Sequence, residues 1–292
     1  MRRRWKLAPI LLPALFAMLP GSCRSIVPPR EEAAVGAAAP ERVSPDSFFE
    51  AAERGELARV QELLSRDAGL LEARDADGWN ALSYAAWNAR QPVYAYLLAQ
   101  GAEGNLFTEA ALGPWESFLD RLQANPMAIN SRDPKHRAGA LIWAVRTGNQ
   151  AGCEVLVSRG ADLLARDREG NSAVHHAVLT SRLEILDWLL RAGADVEGPN
   201  RQGRSPLHLA AASGSYEACR LLLERGASLE VSDEQGNTPL HLAAARGDFE
   251  LCEYFLFLGA RADRRNDAGQ TAADLAKSLG HDRVARLLDS HP

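Results

Sequence analysis

The groups in this chain that could do chemistry are four cysteines and seven histidines spread over 292 residues. Cys153, Cys219 and Cys252 could supply thiolates for redox or metal work, and His175, His176, His208 and His241 could act as general bases or ligands. Their spacing argues for another role. Each of these three cysteines lies seven residues before a glycine (Gly160, Gly226, Gly259), and His175, His208 and His241 recur every 33 residues. A residue type repeated at one structural address is placed there by packing rather than by a reaction. The chain also lacks a Gly-x-Ser-x-Gly elbow, a His-Glu-x-x-His pair, a Gly-rich phosphate loop ending in Lys-Ser/Thr, and any Cys-x-x-Cys pair. No catalytic, cofactor-binding or metal-binding residue is assigned. An envelope redox or hydrolytic enzyme using these cysteines and histidines stays as the competing reading.

The elements that position these residues follow from the same period. Gly170, Gly203, Gly236 and Gly269 are 33 residues apart, as are Gly160, Gly193, Gly226 and Gly259. A third series runs Gly148, Ser181, Gly214, Gly247, Gly280. Three series with one period mean stacked structural repeats. Ser205-Pro206 and Thr238-Pro239 each start a helix: the hydroxyl residue caps free N–H groups, and proline takes the first position, where no N–H is needed. Small alanines then allow close helix approach. Gly214 and Gly247 turn the chain into a second helix carrying Leu221-Leu222-Leu223 or Tyr254-Phe255-Leu256. Gly226 and Gly259 end that helix in the left-handed conformation. An extended stretch and a tight turn, such as Asp233–Gly236, lead to the next unit. On this register the three cysteines face the core. Repeats stack at roughly 8–10 Å, and a disulfide needs Cα atoms within about 7 Å. Cys219 and Cys252 are therefore expected to stay unbridged and to pack as small apolar groups.

These residues resemble the ankyrin repeat: the turn, the Thr-Pro-Leu-His helix start at Thr238–His241, and the Gly-Ala-Asp ending at Gly160–Asp162 and Gly193–Asp195. The match is most specific over 168–289 and good over 75–105 and 137–167. It is degenerate over 106–133, where Phe107–Ala111 and Trp115–Gln123 read as two shortened helices. Residues 46–74 and 267–289 read as amino- and carboxy-terminal caps, the latter with Ala272 and Asp274 in place of proline and histidine. The resemblance implies an all-α repeat fold, an ankyrin solenoid of about eight stacked helix pairs joined by β-hairpin turns over 46–290. It also implies that His175, His208 and His241 tie adjacent turns together by hydrogen bonds. His176 stands where other units place Leu209 or Leu242, and a local hydrogen bond inside the stack is expected of it.

Such a stack offers one extended concave face, built of turn tips and first helices. The function it implies is that of a non-enzymatic scaffold gripping a protein partner. Specificity belongs to the positions the repeat leaves free: Trp79, Trp87 and Asn88, then Arg146, then Arg168, Glu169 and Leu179, then Arg201 and Arg204, then Glu234 and Arg246. Trp and Arg are the types most enriched among interface hot spots. Trp79 and Trp87 either meet the partner or pack beneath 106–133, whereas Trp143 and Trp188 fall at leucine-like core positions. Arg201, Arg204 and Arg246 form a locally basic stripe suited to an acidic protein surface. The partner is another protein, no cofactor is expected, and the chain is expected to be a monomer.

At 46% hydrophobic and 24% charged, the chain can build a large core and is not disordered throughout. It carries 33 cations against 38 anions, and four of the cations (Arg2, Arg3, Arg4, Lys6) lie in the first six residues. The apolar run Leu7–Leu19 follows, then Gly21-Ser22-Cys23. Thirteen residues do not comfortably cross a hydrocarbon core of ~30 Å, so 1–22 reads as an export signal, with an uncleaved anchor as its competitor. Its end resembles the lipobox of bacterial lipoproteins, although Pro20 stands where that family favours Leu. Cys23 is thus either lipidated, with Arg24 after it pointing to the outer membrane, or absent from the story of a simply secreted protein. The expected location is the periplasm or outer membrane as a lipoprotein, or outside the cell; the membrane is met only through lipid on Cys23. Residues 23–45, rich in proline and alanine, read as a flexible tether. Without 1–22, 29 cations face 38 anions and the net charge is −9, which disfavours nucleic acid.

Overall fold

The first helix begins where proline and serine allow it. Ser44 Oγ accepts from the Asp46 N–H at 3.3 Å, and Pro45 opens α1, Pro45–Arg54. The computed structural model describes residues 44–291. The export signal, Cys23 and the tether up to residue 43 lie outside the described residues. The last two positions expected of the tether are the cap and the first residue of α1, so the helix starts one residue ahead of the expected boundary at 46.

Among the described residues eight helix pairs follow one another. They are α1 with α2 (Leu57–Arg66), α3 (Ala81–Trp87) with α4 (Gln91–Ala99), and α5 (Leu106–Leu112) with α6 (Trp115–Ala124). Next come α7 (Ala140–Thr147) with α8 (Gln150–Ser158) and α9 (Ala173–Leu179) with α10 (Leu183–Arg191). The last three are α11 (Pro206–Ser213) with α12 (Tyr216–Glu224), α13 (Pro239–Arg246) with α14 (Phe249–Phe257), and α15 (Ala272–Ser278) with α16 (Asp282–Asp289). Each odd-numbered, inner helix packs on its outer partner and on the inner helix of the next unit. The alanines of the Leu-His-Leu-Ala-Ala runs are fully buried between them (Ala210, Ala211, Ala243, Ala244).

The connections are turns rather than strand pairs. Among the described residues the only bridges are the isolated Arg132–Gly139 and Arg166–Ser172, so the expected β-hairpins reduce to their tips. An Asp or Asn opens each tip and accepts from N–H groups two and four residues on, except in the longer tip, where Asp133 takes those of Lys135, His136 and Ala138. Asp233 Oδ1 takes Gln235 N at 3.0 Å and Asn237 N at 2.9 Å, and Asp167 Oδ1 takes Glu169 N at 3.0 Å and Asn171 N at 2.7 Å. Successive tips are then laced by backbone: Arg201 N to Glu169 O (2.9 Å), Glu234 N to Gln202 O (3.0 Å) and Asp267 N to Gln235 O (3.0 Å).

The repeat histidines complete this lacing. Nδ1 of His208 accepts from the Ser205 N–H (3.1 Å) and lies 2.8 Å from Ser205 Oγ, while Nε2 faces the Asn237 carbonyl of the next unit at 3.0 Å. A carbonyl can only accept, so the proton sits on Nε2. His175 and His241 repeat the arrangement, onto Arg204 O (3.0 Å) and Gln270 O (3.2 Å).

The helix-to-helix turn demands a left-handed residue at one address. Gly148, Gly214, Gly247 and Gly280 hold φ between 71° and 82° there; Ser181 (φ 55°) and Ala89 (φ 54°) fill the same address without the freedom of glycine. In the degenerate unit α6 is a full ten residues rather than shortened; what is missing is the tip, since only four positions separate the helix-ending Gly101 from the α5 cap Asn105. With that tip absent, α3 reaches α7 directly. Among the described residues no helix is long and apolar enough to cross a membrane.

Candidate functional site

Two side-chain positions on each inner helix point to the face shared with the tips, and they divide the stack into two unlike halves. The fourth residue after the cap is Tyr84, Glu109, Trp143 and His176 in α3 to α9, but Leu209, Leu242 and Leu275 in α11 to α15. The seventh is Trp87, Leu112, Arg146 and Leu179, then Ala212, Ala245 and Ser278. Large and polar groups crowd the first half, and small or aliphatic ones line the second.

In the first half the face is filled by the protein itself. Trp79 is 3% and Trp87 9% exposed. Their rings meet edge-to-face at 6.0 Å, and Trp143 packs on both at 5.1 and 5.0 Å. His136, from the tip before α7, stacks on Trp87 at 4.3 Å and 8°. The Arg146 guanidinium lies 3.9 Å from the Trp87 ring centre, and its Nε donates to Trp87 O at 3.1 Å. Trp79 and Trp87 are therefore core residues, a correction to the reading that offered them to a partner. The gap left by the missing tip is what they fill. His136 can reach them because its tip, Asp133–Gly139, carries one more residue than Asp167–Ser172, with Arg137 at φ 56° in the extra space.

Two ionic relays seal this half. Lys135 donates to Asp75 Oδ2 at 2.8 Å and to Tyr84 Oη at 2.6 Å, and Tyr84 donates to the same carboxylate oxygen at 2.7 Å. Burial works against the charge on Asp75, yet the Lys135 and Tyr84 hydrogen bonds hold it below the usual carboxylate range. Burial likewise opposes the charge on Lys135, and the same two partners raise it. In the second relay Arg146 Nη1 donates to His176 Nδ1 at 3.2 Å, and His176 Nε2 donates to Asp167 Oδ2 at 2.7 Å. Burial pushes His176 down, against the pull of Asp167, so the ring is neutral and passes one hydrogen bond on while receiving another. Burial also pushes Arg146 down, to about 10, which leaves it charged at neutral pH. Arg146 is thus committed to the interior, and Asn88 bonds its own helix at Tyr84 O (3.0 Å). The relays escaped the sequence reading because their partners lie up to 60 residues apart; the longer tip was the one local sign of them.

From α9 onward the face is free. Leu179 is 51% exposed, Ala212 and Ser213 are exposed, and Leu209, Leu242 and Leu275 are half-buried in the floor. The expected rim residues Arg168, Glu169, Arg201 and Glu234 are all exposed at successive tips. Arg204 is not free: it reaches forward to the buried Asp233 of the next tip at 3.4 Å. Arg246 is exposed and lays its guanidinium over Gly214. The basic stripe of Arg201, Arg204 and Arg246 therefore loses its middle member.

Cys153, Cys219 and Cys252 are unbridged and wholly buried, and burial pushes all three thiols up to about 12. None offers a thiolate near neutral pH. A second exposed apolar patch lies on the outer helices α12 and α14, where Phe257 is 84% exposed beside Tyr254 and Tyr216.

Comparison with protein families names this architecture. Residues 141–233 match a family described as ankyrin repeats (3 copies), and residues 222–276 one described as ankyrin repeats (many copies). Residues 141–276 are ankyrin repeats. No curated protein matches the chain. The matched region begins inside α7 and ends inside α15, so it contains the whole of the open ankyrin face, while the self-filled half lies largely ahead of it. An all-α ankyrin solenoid is a protein-interaction scaffold, and the exposed side chains of its tips and inner helices are the surface it has to offer.

Proposed function

We propose that this protein is a non-enzymatic scaffold of the cell envelope that holds a protein partner on the concave ankyrin face between Arg168 and the carboxy-terminal cap. One observation carries the reading: from α9 on, an aliphatic floor (Leu179, Leu209, Ala212, Leu242) lies open beneath a rim of exposed tip residues, while the same face ahead of α9 is closed by Trp79, Trp87 and Trp143. Apolar centre and polar rim are the anatomy of a protein–protein interface. The basic start Arg2–Lys6, the apolar run Leu7–Leu19 and Gly21-Ser22-Cys23 support an export signal over 1–22 and a thioether anchor on Cys23, which would hold this face in the periplasm or at the outer membrane, with secretion as the outcome if Cys23 carries no lipid. The protein acts as a monomer.

Affinity capture with the full chain tests the face. A partner recovered by the native protein and lost with Leu179→Glu/Ala212→Glu supports it; a partner retained by that variant removes it. Mass spectrometry of the mature amino terminus tests the location, with cleavage before a diacylated or triacylated Cys23 as the expected result and an intact Met1 as the contrary one.

A further inference from the structure

The rim charges are ordered along the stack. At three successive tips the exposed, unpaired ions are Arg137, Arg168 and Arg201; at the next two they are Glu234 and Asp267. None of these five makes an ion pair among the described residues. Arg168 Nη2 donates to Pro134 O at 3.2 Å, which leaves its charge unneutralised. Of the neighbouring arginines, Arg204 pairs with Asp233 at 3.4 Å, Arg166 with Asp195 at 3.4 Å and Arg265 with Asp274 at 3.7 Å, while Arg246, exposed and without an ion pair among the described residues, stands at the last residue of α13 rather than at a tip. Glu169, beside Arg168, is the one exposed tip anion in the positive stretch. The backbone lacing from tip to tip fixes Arg168, Arg201, Glu234 and Asp267, each the residue after the tip-opening Asp or Asn, at one unit's spacing, with Arg137 in the longer tip ahead of them, so the rim is a row positive toward α7 and negative toward α15. Beneath the tips from Arg168 to Asp267 runs the same aliphatic floor, and at Arg137 it gives way to the closed face at Trp143.

Resting on the concave-face reading above, we propose that this face selects a protein segment of divided charge: an acidic stretch over Arg137, Arg168 and Arg201, apolar residues onto Leu179 and Leu209, and a basic stretch over Glu234 and Asp267. Complementary rims of this kind set register and exclude wrong partners more than they add affinity. A uniformly acidic partner, which the basic stripe alone would favour, meets repulsion at Glu234 and Asp267. Four steps of roughly 8–10 Å between stacked units give a row of roughly 32–40 Å, which an extended segment of about 10–12 residues covers at ~3.3 Å each.

Three synthetic 14-residue peptides of equal apolar content test the assignment against the full chain at low salt: one with Glu in its first half and Lys in its second, one with Glu only and one with Lys only. The divided peptide is expected to bind at least tenfold more tightly than either uniform one by fluorescence anisotropy. Arg168→Glu/Arg201→Glu and Glu234→Lys/Asp267→Lys are each expected to weaken it at least tenfold. All four changes together restore binding with the peptide turned end for end, so that a nitroxide on its acidic end broadens methyl resonances near Leu275 instead of Leu179. All five rim side chains are exposed, and unchanged circular dichroism melts certify that the variants fold. Equal affinity of the divided and all-Glu peptides, no binding by any of the three, or indifference to both double variants overturns the proposal. If the captured partner is lost with Leu179→Glu/Ala212→Glu but kept by both charge variants, the concave face stands and the divided-charge partner falls.

Discussion

Replacing Trp87 by alanine separates a core role from a contact role. Its ring is 9% exposed and touches Trp79, Trp143 and His136, with the Arg146 guanidinium 3.9 Å from its centre. Truncating a buried tryptophan costs about 3–5 kcal/mol, and losing the cation–π contact adds about 1 kcal/mol. Against a typical total of about 5–15 kcal/mol this is a large share. In a stack the loss is local, because each unit holds only its neighbours. It falls on the junction of α3, α5 and α7, where the aromatic cluster fills the space of the missing tip. Urea unfolding followed by hydrogen exchange should therefore show α1 to α4 exchanging early in Trp87→Ala while α11 to α15 stay protected. A double-mutant cycle with Arg146→Ala should return a coupling of about 1 kcal/mol. A loss under about 1 kcal/mol with uniform exchange would refute the packing role and return Trp87 to the surface.

Acid should weaken the stack earlier than its carboxylates require. Burial pushes His175 down to about 4 from an ordinary 6.5, and His208, His241 and His176 are lowered for the same leading reason. The neutral rings favour the folded state, so their stability is full above pH 6.5 and is lost as pH falls toward 4; for His175 alone it reaches about 3 kcal/mol. The urea midpoint should drop between pH 7 and pH 4.5, with a shallower slope in His175→Gln; a flat profile contradicts the assignment. Cys153, Cys219 and Cys252 should resist a thiol reagent in the native protein and react at once in urea, and fast native labelling would revive the redox reading. Glycine at the strained left-handed addresses, in Ala89→Gly and Ser181→Gly, should each raise stability by about 0.5–1 kcal/mol, measured as a shift in urea midpoint.

The repeat architecture was legible because its signals are local and periodic. The glycine at most helix-to-helix turns, the hydroxyl-proline start and the histidine at one address each answer a backbone need within a few residues, and the structure satisfies each where the sequence places it. The rim was legible for the same reason: Arg168, Arg201 and Glu234 stand at tip positions that no packing rule fills. The first half of the face was not. Trp79 and Trp87 occupy addresses that are free in a regular unit, and only the absence of the next tip buries them. That absence, with the longer tip at Asp133–Gly139, brings Lys135 to Asp75 across 60 residues, a distance over which residue types alone specify no pairing. Arg204 misled in a similar way: its address is free, but the buried carboxylate of Asp233 in the next unit claims it.

The measurement closest to the central claim is a hydrogen-exchange footprint of the full chain with its captured partner bound. Slowed exchange at tips 168–170, 201–204 and 234–237 together with α9 and α11, and unchanged exchange at Trp79–Trp87, is the expected pattern. Protection confined to the outer helices around Tyr216, Tyr254 and Phe257 would contradict it and move the binding surface to the other side of the stack.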